Sequence, residues 1–587
     1  MEITRSTFHR RAFLSVTARL GLASTLFPGV LYAMAEEKKK LTAAMIDEAA
    51  SVAGISIDDS YKEMMLEDLN DTLGDYKAVH ELKLPNGVSP ALVFDPILPG
   101  KNFSIPRRPL RPSKPINLQA PKNIEALAFW SVGDLSELLR KKKVSSVALT
   151  EMYLHRLKTY DPVLKFVITF LTDRAMAQAL EADHDIAAGR YRGPLHGIPW
   201  GAKDLLSVKG YKTTWGAGGF EQQEFDEDAT VVQRLDRAGA VLLAKLTLGA
   251  LAMGDVWFGG TTKNPWKVDQ GSSGSSAGSA SATAAGCVAF AIGTETLGSI
   301  ASPSTRCGVT GLRPTFGRVP RTGGMALTWS MDKIGPLCRY VEDCALVMSV
   351  INGPDEKDAS VKDLPFNWDA NLDIKTLRVG YVKEAFEKEP EAKANETEDD
   401  KKSRLRRIEQ RKIDLASLEI LRSQLGLKLI DIKLPEFPFG NLLPILNAEA
   451  AAAFDDLTRS GRDKLLTAQG KNDWPNSFRV GHFIPAVEYV NANRARTVGM
   501  QKWAEMFTTI DVLVAPTFGT SQLVATNLTG HPAIILPNGF REDGTPTSLT
   551  FVGNLYREDQ LLAVAKAYQD ATEWNKRHPV IAAPKPA

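Results

Sequence analysis

Residues 269–314 read DQGSSGSSAGSASATAAGCVAFAIGTETLGSIASPSTRCGVTGLRP, and this stretch constrains the fold more than any other. Its first half is almost entirely Gly, Ser, Ala and Thr, a composition that flexible linkers share. A linker, however, has no reason to carry the apolar run AAGCVAFAI at residues 284–292, which predicts a buried helix, or the Gly-flanked Ser299. We therefore expect closely packed backbone with several hydroxyl groups in a confined space.

The same stretch belongs to a series of motifs that recur in a fixed order. With SSAGSASATAAGCVAFAIGTETLGSI and with PLHGIPWGAKD at residues 194–204, the chain resembles the amidase signature family of serine hydrolases. The resemblance spans residues 124–557 and includes CGVTGLRPTFGRV (307–319), SMDKIGPL (330–337) and NLTGHPAIILP (527–537). It implies an α/β fold with one large domain, in which a mixed central β-sheet is sandwiched between α-helices.

The resemblance also implies a catalytic triad of a lysine and two serines. By motif position these residues are Lys203 of GAKD, Ser275 at the start of SSAGS, and the nucleophile Ser299 of TLGSI. The family has a cis peptide bond before the first serine, here Gly274–Ser275. No metal and no cofactor is implied.

A lysine can act as the base only when it is neutral, and its ordinary pKa of about 10.4 prevents that in water. Burial without a carboxylate partner lowers the pKa, because desolvation penalises the charged form. The apolar residues 198–202 before Lys203 are consistent with burial. The eight histidines are dispersed without metal-ligand spacing, which disfavours Ser-His-Asp and zinc hydrolases.

An amide hydrolase also needs donors for the oxyanion. We expect the backbone N–H groups of Thr296, Leu297 and Gly298, in the turn before Ser299, to supply them. Here the chain departs from the common family pattern, because Leu297 replaces a glycine and residues 301–302 are Ala-Ser where an arginine is often found. Leu297 retains its N–H, but its side chain is expected to narrow the acyl side of the pocket. The missing arginine argues against a carboxylate beside the scissile bond.

Four further residues are candidates for an apolar substrate pocket, and each is equally compatible with core packing. They are Met253, Trp257, Phe258 and Trp329.

The N-terminus predicts export. Arg10 and Arg11 precede a moderately apolar run, and Ala33-Met34-Ala35 offers a cleavage site after Ala35. We therefore assign residues 1–35 as a twin-arginine signal and predict a periplasmic or secreted protein without stable membrane insertion. Residues 36–122 form an extension, first helical and then proline-rich, which could limit substrate size if it lies over the cleft. Residues 123–587 form the catalytic domain, with a charged insertion at about 387–412.

The charge composition limits the classes of partner that the protein is expected to bind. The chain carries 71 basic and 69 acidic residues, so a net charge of +2 gives no reason to expect nucleic acid. The expected partner is a small-molecule amide, and the oligomeric state, monomer or homodimer, stays open. Pairing of Cys338 with Cys344 in an oxidising compartment is likewise open.

The main hypothesis is an exported amidase that forms an acyl-Ser299 intermediate. The amidase-like subunit of a tRNA-dependent amidotransferase resembles the chain in the same motifs, but it would need cytosolic partner subunits. An esterase or urethane hydrolase would use the same acyl chemistry. A non-catalytic binding protein of the same fold is the alternative outside the enzymes.

Overall fold

A mixed sheet of eleven strands organises the part of the chain that the structure describes. This computed structural model describes residues 41–101, 103, 105–114, 118–392 and 395–582. The strand order across the sheet is β1 (Val167–Phe170), β3 (Val241–Leu246), β2 (Pro199–Lys203), β8 (Phe290–Glu295), β10 (Lys333–Cys338), β9 (Thr310–Arg313), β14 (Ala533–Phe540), β15 (Pro546–Gly553), β13 (Val512–Pro516), β11 (Val379–Val382) and β12 (Leu429–Ile432). Two small hairpins are separate from it: β4 (Val256–Trp257) with β5 (Gly260–Thr261), and β6 (Lys263–Asn264) with β7 (Lys267–Gly271).

Parallel pairing occurs in two places. Strand β2 lies parallel to both β3 and β8, and β11 lies parallel to both β12 and β13. The remaining neighbours are antiparallel. The carboxyl ends of β2 and β8 therefore meet at one edge of the sheet.

Helices account for most of the other regular structure. The α-helices are α1 (Ala43–Ala53), α2 (Asp59–Glu81), α3 (Val132–Arg140), α4 (Ser146–Leu164), α5 (Thr172–Ala187), α6 (Thr230–Arg237), α7 (Ala277–Ala284), α8 (Ala301–Cys307), α9 (Val341–Ile351), α10 (Lys383–Glu387), α11 (Glu398–Glu419), α12 (Pro444–Ala453), α13 (Asp455–Arg459), α14 (Trp474–Gly481), α15 (Ala486–Met506), α16 (Gln522–Thr529) and α17 (Glu558–Thr572). A π-helical segment, Ile420–Gln424, continues α11. Short 3-10 helices are Ile124–Phe129, Ala250–Ala252, Ile374–Thr376, Phe439–Leu442, Arg462–Leu465 and Trp574–Lys576.

Both faces of the sheet are covered. Every residue of β2, β3, β10, β13 and β15 is buried. Because successive side chains on a strand point to opposite faces, such complete burial requires packing on each side. The predicted architecture, a mixed central sheet between α-helices, is confirmed.

The predicted helix at residues 284–292 is wrong. Helix α7 ends at Ala284, Gly286 adopts a left-handed φ of +63°, and the apolar run continues into β8. An apolar run of this length fits a buried strand as well as a buried helix, and periodicity does not separate the two. The glycine decides the outcome, because it reverses the chain between the two elements.

The charged segment assigned to residues 387–412 is mostly part of α11. That helix begins with a capping box in which Thr397 and Asp400 satisfy each other's backbone N–H groups. The acidic residues Glu398, Asp399 and Asp400 occupy its first turn, where negative charge is favourable.

The N-terminal segment packs along the catalytic body. After α2 the described part of residues 82–123 contains no helix or strand apart from a single bridge between Arg111 and Asp369. The Phe94 ring lies 5.1 Å from the Phe316 ring, and the Arg496 guanidinium lies 3.4 Å from the Phe94 centroid.

Three expectations concern the compartment. The predicted signal, residues 1–35, lies outside the described residues. All four cysteines are buried free thiols, so Cys338 and Cys344 are not paired here. Among the helices described, none combines the length and apolar character that crossing a membrane requires.

Candidate active site

The lysine and the two serines singled out in the sequence lie on neighbouring elements. Lys203 is the last residue of β2, Ser275 stands just before α7, and Ser299 follows the end of β8 in the turn to α8. Strands β2 and β8 pair in parallel, with Ala202 opposite Ile292. Their shared carboxyl edge brings Lys203 and the Ser299 turn to the same end of the sheet.

Lys203 is completely buried and surrounded by hydroxyl groups. Its Nζ lies 2.8 Å from Ser275 Oγ, 3.0 Å from Ser276 Oγ and 2.9 Å from Thr294 Oγ1. Within the part of the chain that the structure describes, it forms no ion pair. Burial lowers the pKa of Lys203 to about 7, although the negative charges of Asp332 and Glu295 oppose the shift.

A second buried lysine shows what Lys203 lacks. Lys245 on β3 is also fully buried, but its Nζ lies 2.7 Å from Asp204 Oδ1, and the Asp204 side chain is fully buried as well. The other oxygen of Asp204 accepts hydrogen bonds from Thr214, from N at 2.8 Å and from Oγ1 at 2.5 Å. A carboxylate stabilises the charged form of a lysine, whereas hydroxyls alone do not. Lys203 therefore lacks the carboxylate contact that favours the charged form of Lys245. Lys333 is likewise buried, its Nζ donates to Asn527 Oδ1 at 2.7 Å, and burial lowers its pKa well below the usual value.

Small residues and hydroxyls hold Ser275 in place. The peptide bond Gly274–Ser275 is cis, in agreement with the family pattern. A Cβ at Gly293 on β8 would lie 2.7 Å from Ser276 Oγ, so only glycine lets α7 and β8 approach this closely. Ser276 Oγ donates to Thr294 O at 3.0 Å, and Ser279 Oγ donates to Ile292 O at 3.0 Å. Both hydroxyls therefore donate to backbone carbonyls of β8.

The Ser299 hydroxyl is partly exposed and makes no hydrogen bond to another of the described residues. The link between the serines runs through the backbone, because Ser276 N donates to Ser299 O at 3.1 Å. The structure thus joins Lys203 to Ser275 by a direct contact. It places Ser299 beside that pair without a side-chain hydrogen bond between the two triad serines.

A buried carboxylate shapes the turn that carries Ser299. Glu295 Oε2 accepts from Ile300 N and Ala301 N, both at 2.9 Å, and its Oε1 accepts from Arg313 Nη1 at 2.8 Å. Burial opposes ionisation, but Arg313 and Lys333 outweigh it and hold the pKa of Glu295 to about 2. A permanently charged carboxylate at the N-terminus of α8 therefore fixes the turn.

The N–H groups predicted to bind the oxyanion are available. Those of Thr296, Leu297 and Gly298 donate no hydrogen bond within the described part of the chain. Gly298 has a φ of +90°, a conformation that favours glycine. Leu297 retains its N–H, and its side chain packs against the hydrophobic core.

A cavity of about 530 Å³ adjoins this site through Thr294 and Thr296, although Lys203, Ser275 and Ser299 are not among its described lining residues. It is lined by Thr294 and Thr296 and by apolar side chains that include Trp215, Leu327 and Trp329. Of the four predicted pocket residues, only Trp329 lines it. Met253, Trp257 and Phe258 are not among its described lining residues; the Trp257 and Phe258 rings pack edge to face, 4.9 Å apart.

Three residues that contribute to the site, Thr294, Glu295 and Asp332, were not predicted from the sequence. Thr294 supplies the third hydroxyl around Lys203, and Glu295 fixes the turn that carries Ser299. Asp332 Oδ1 accepts from Thr296 Oγ1 at 2.5 Å, and its Oδ2 accepts from the backbone of Leu327. All three residues lie within the family motifs GTETLGS and SMDKIGPL. Their position in these motifs is the sequence feature that could have identified them as part of the site.

Comparison with known proteins gives a consistent result. The sequence model of the protein family described as Amidase matches residues 148–523, which include Lys203, Ser275 and Ser299. The chain is 34% identical over 496 residues to the A subunit of glutamyl-tRNA(Gln) amidotransferase from Roseiflexus castenholzii, covering 77% of this chain and 97% of that protein. It is also 34% identical over 499 residues to the protein of the same name from Synechococcus elongatus, covering 77% and 100%.

Among solved structures, the native peptide amidase of Stenotrophomonas maltophilia is similar over most of its length. The TM-score is 0.66 at 27% sequence identity, and the match covers 78% of this chain and 99% of the peptide amidase. Sequence and structure comparisons therefore point to one family, while the relatives carry different activities in their names.

Proposed function

Because this chain belongs to the amidase family, we propose that it hydrolyses the C–N bond of a carboxylic amide through an acyl-Ser299 intermediate. The observation that carries the proposal is the environment of Lys203, a fully buried amine whose nearest polar neighbours are three hydroxyls. Such an amine can accept a proton near neutral pH. Ser275 contacts it directly, and the neighbouring Ser276 N donates to Ser299 O.

In the first half of the reaction, Ser299 Oγ attacks the amide carbonyl while its proton passes to Ser275 Oγ, whose own proton moves to Lys203 Nζ. The N–H groups of residues 296–298 stabilise the negative oxygen of the tetrahedral intermediate, and each such donor typically contributes about 3 kcal/mol. The relay then runs in reverse and protonates the leaving nitrogen. The C–N bond breaks, and the amine or ammonia leaves an ester on Ser299.

In the second half, water attacks the ester carbonyl and gives its proton to the same relay. The Ser299–acyl bond breaks, Ser299 regains its proton and the carboxylate departs. No redox change occurs, and the sum of the two halves is amide plus water giving carboxylate and protonated amine.

The substrate is a small molecule with an apolar acyl part. Trp215, Phe225, Leu327 and Trp329 present aromatic and aliphatic surface to the cavity, whose lining also includes charged residues, among them Arg321, Asp332 and Lys333. The position after Ser299 where the family often has arginine is occupied by Ala301 and Ser302, so no cation is supplied there for an adjacent carboxylate.

A fluorophosphonate probe tests the proposal without knowledge of the substrate. We expect the protein to form an adduct on Ser299, located by peptide mass spectrometry, and to release amine from a panel of aliphatic and aromatic amides. Parallel esters and carbamates in the panel determine which acyl derivative is preferred. Absence of both label and turnover, together with tight ligand binding, would indicate a non-catalytic protein of the same fold.

A second candidate is the amidase-like component of an amidotransferase. The 34% identity over 77% of the chain to proteins named as the A subunit of glutamyl-tRNA(Gln) amidotransferase favours it, and amide cleavage is common to both candidates. The two candidates differ in their compartment and in their subunits, since an amidotransferase component works in the cytosol with partner subunits. The free amidase that we propose requires neither a cytosolic location nor partner subunits.

We further propose that the protein is exported, on the basis of Arg10, Arg11 and the Ala33–Ala35 cleavage site. Cell fractionation separates the two candidates. We expect the mature chain to begin at Glu36 outside the cytoplasm, and to remain inside as the precursor when Arg10 and Arg11 are both replaced by lysine. Recovery of an uncleaved cytosolic chain in a stable complex with a tRNA-binding protein would instead establish the amidotransferase.

A further inference from the structure

We infer that residues 85–89, termed the strap, limit the length of the substrate. This inference rests on the proposed function. All five strap residues line the cavity that begins at Thr294 and Thr296. They lie outside residues 148–523, the part of the chain that the family model matches. The strap is thus a wall of the cleft contributed by the N-terminal extension.

The strap lies where the cavity meets solvent. Pro85, Gly87, Val88 and Ser89 are exposed, and Asn86 between them is partly buried. Val88 N donates to Pro85 O at 2.9 Å, which makes the strap a tight turn, and Val88 is 50% exposed. Residues that are exposed and also line a cavity stand at its mouth, so the strap crosses that mouth.

Asn86 fastens the strap to the body. Its Nδ2 donates to Ala326 O at 2.8 Å while its Oδ1 accepts from Ala326 N at 2.8 Å, and Nδ2 also donates to Ala453 O at 3.2 Å. Ala326 belongs to the loop that carries Leu327 and Trp329 in the cavity wall. One side chain therefore holds the strap, the wall loop and the end of α12 together.

The chain is held on both sides of the strap. Before it, at the end of α2, His80 Nδ1 lies 3.2 Å from Asp455 Oδ2. After it, Phe94 packs between the Phe316 ring and the Arg496 guanidinium. A turn that is anchored at its centre and at both flanks acts as a fixed wall.

The strap also separates two cavities. A second cavity of about 630 Å³ lies on the other side and is lined by Phe220, Phe454 and Ile484. Asn86 and Trp215 line both cavities and so form the partition between them. An acyl chain that extends from Thr294 and Thr296 toward the mouth of the first cavity meets the strap, and one directed toward the second cavity meets this partition, so the substrate class is a compact amide rather than a long-chain one.

Straight-chain primary amides from butanamide to dodecanamide test this limit. We expect kcat/KM of the wild type to fall steeply once the chain reaches the strap. Asn86→Ala removes the three hydrogen bonds, and it should raise the ratio of kcat/KM for dodecanamide to that for butanamide by about tenfold or more. Val88→Ala, which breaks none of these bonds, should raise the ratio by a smaller factor.

Leu92→Ala is the matched control, because Leu92 is an exposed apolar residue (78%) of the same extension and is not among the cavity lining. It should leave the ratio at the wild-type value. A ratio unchanged in both Asn86→Ala and Val88→Ala would overturn the inference. Fluorophosphonates with short and long alkyl chains give a parallel readout: failure of the short probe to label Ser299 contradicts the proposed function, whereas equal labelling of the wild type by both probes contradicts only the strap.

Discussion

Replacing Ser299 by alanine is expected to lower kcat for amide hydrolysis by roughly 10⁵- to 10⁶-fold, the loss typical of a serine hydrolase without its nucleophile. The reason is that no other group inherits the covalent step. Ser275 is almost completely buried (1% exposed) against Lys203, whereas Ser299 is partly exposed beside a turn with free N–H donors. Amine release measured at saturating substrate gives the factor.

The same variant should leave the fold unchanged. Because the Ser299 hydroxyl bonds to none of the described residues, its removal is expected to change the free energy of unfolding by no more than about 0.5 kcal/mol. Ser302→Ala is the matched control, a serine one turn further along that should keep both turnover and label. Full turnover in Ser299→Ala would show that Ser299 is not the nucleophile, and Ser275 would then be the next candidate for that role.

The fold was predictable where pattern and motif agreed. The expected mixed sheet between α-helices is present, and Lys203 of the GAKD motif is the last residue of β2. The error at residues 284–292 arose because nine apolar residues satisfy a helix and a strand equally well. The route of residues 82–123 over the body was not predictable, since it depends on single contacts such as Arg496 against Phe94, far apart in the sequence.

The candidate site was predictable to the level of its motifs. Position within GAKD, SSAGS and TLGSI identified three residues that the structure places at one end of the sheet. The residues that line the cavity were harder to predict, because an aromatic residue in a core and one in a pocket wall cannot be distinguished in the sequence. Trp329 and Trp257 illustrate this, since only the first lines the cavity. Asn86 had no signal at all, because its importance comes from hydrogen bonds to residues 326 and 453.

Lys203 and Lys245 explain why burial alone does not define a catalytic lysine. Both are completely buried on adjacent parallel strands, and burial lowers the pKa of each. Asp204, the residue directly after Lys203, points its carboxylate at Lys245 instead. Lys245 is thus half of an ion pair, whereas Lys203 is surrounded by hydroxyls.

This difference between the two lysines predicts opposite consequences for two similar substitutions. Lys245→Met leaves Asp204 buried without its cation and is expected to lower the free energy of unfolding by about 3–5 kcal/mol. Lys203→Met removes no ion pair and should cost far less stability, while it abolishes turnover. Urea unfolding and amine release on both variants test this, and a large loss of stability in Lys203→Met alone would mean that the roles are reversed.

The pH dependence of activity is expected to follow the protonation state of Lys203. The base must be neutral, and the pKa of Lys203 is lowered to about 7. Well below pH 7, kcat/KM should therefore rise about tenfold per pH unit and then level off above pH 7, because protonation removes the acceptor for the Ser275 proton. The wild-type profile, measured with an uncharged amide, checks this, and a flat profile from pH 5 to 9 would show that no group with this pKa governs the reaction.

Stability gives an independent measurement of the same pKa. Between pH 7 and 10.5 the lysine is protonated in the unfolded chain and neutral in the native state, so the unfolded state binds more protons. The free energy of unfolding of the wild type, relative to Lys203→Met, should therefore increase with pH across this window and become constant above it. A difference that is independent of pH would mean that Lys203 keeps an ordinary pKa, and the proton relay would then require another base.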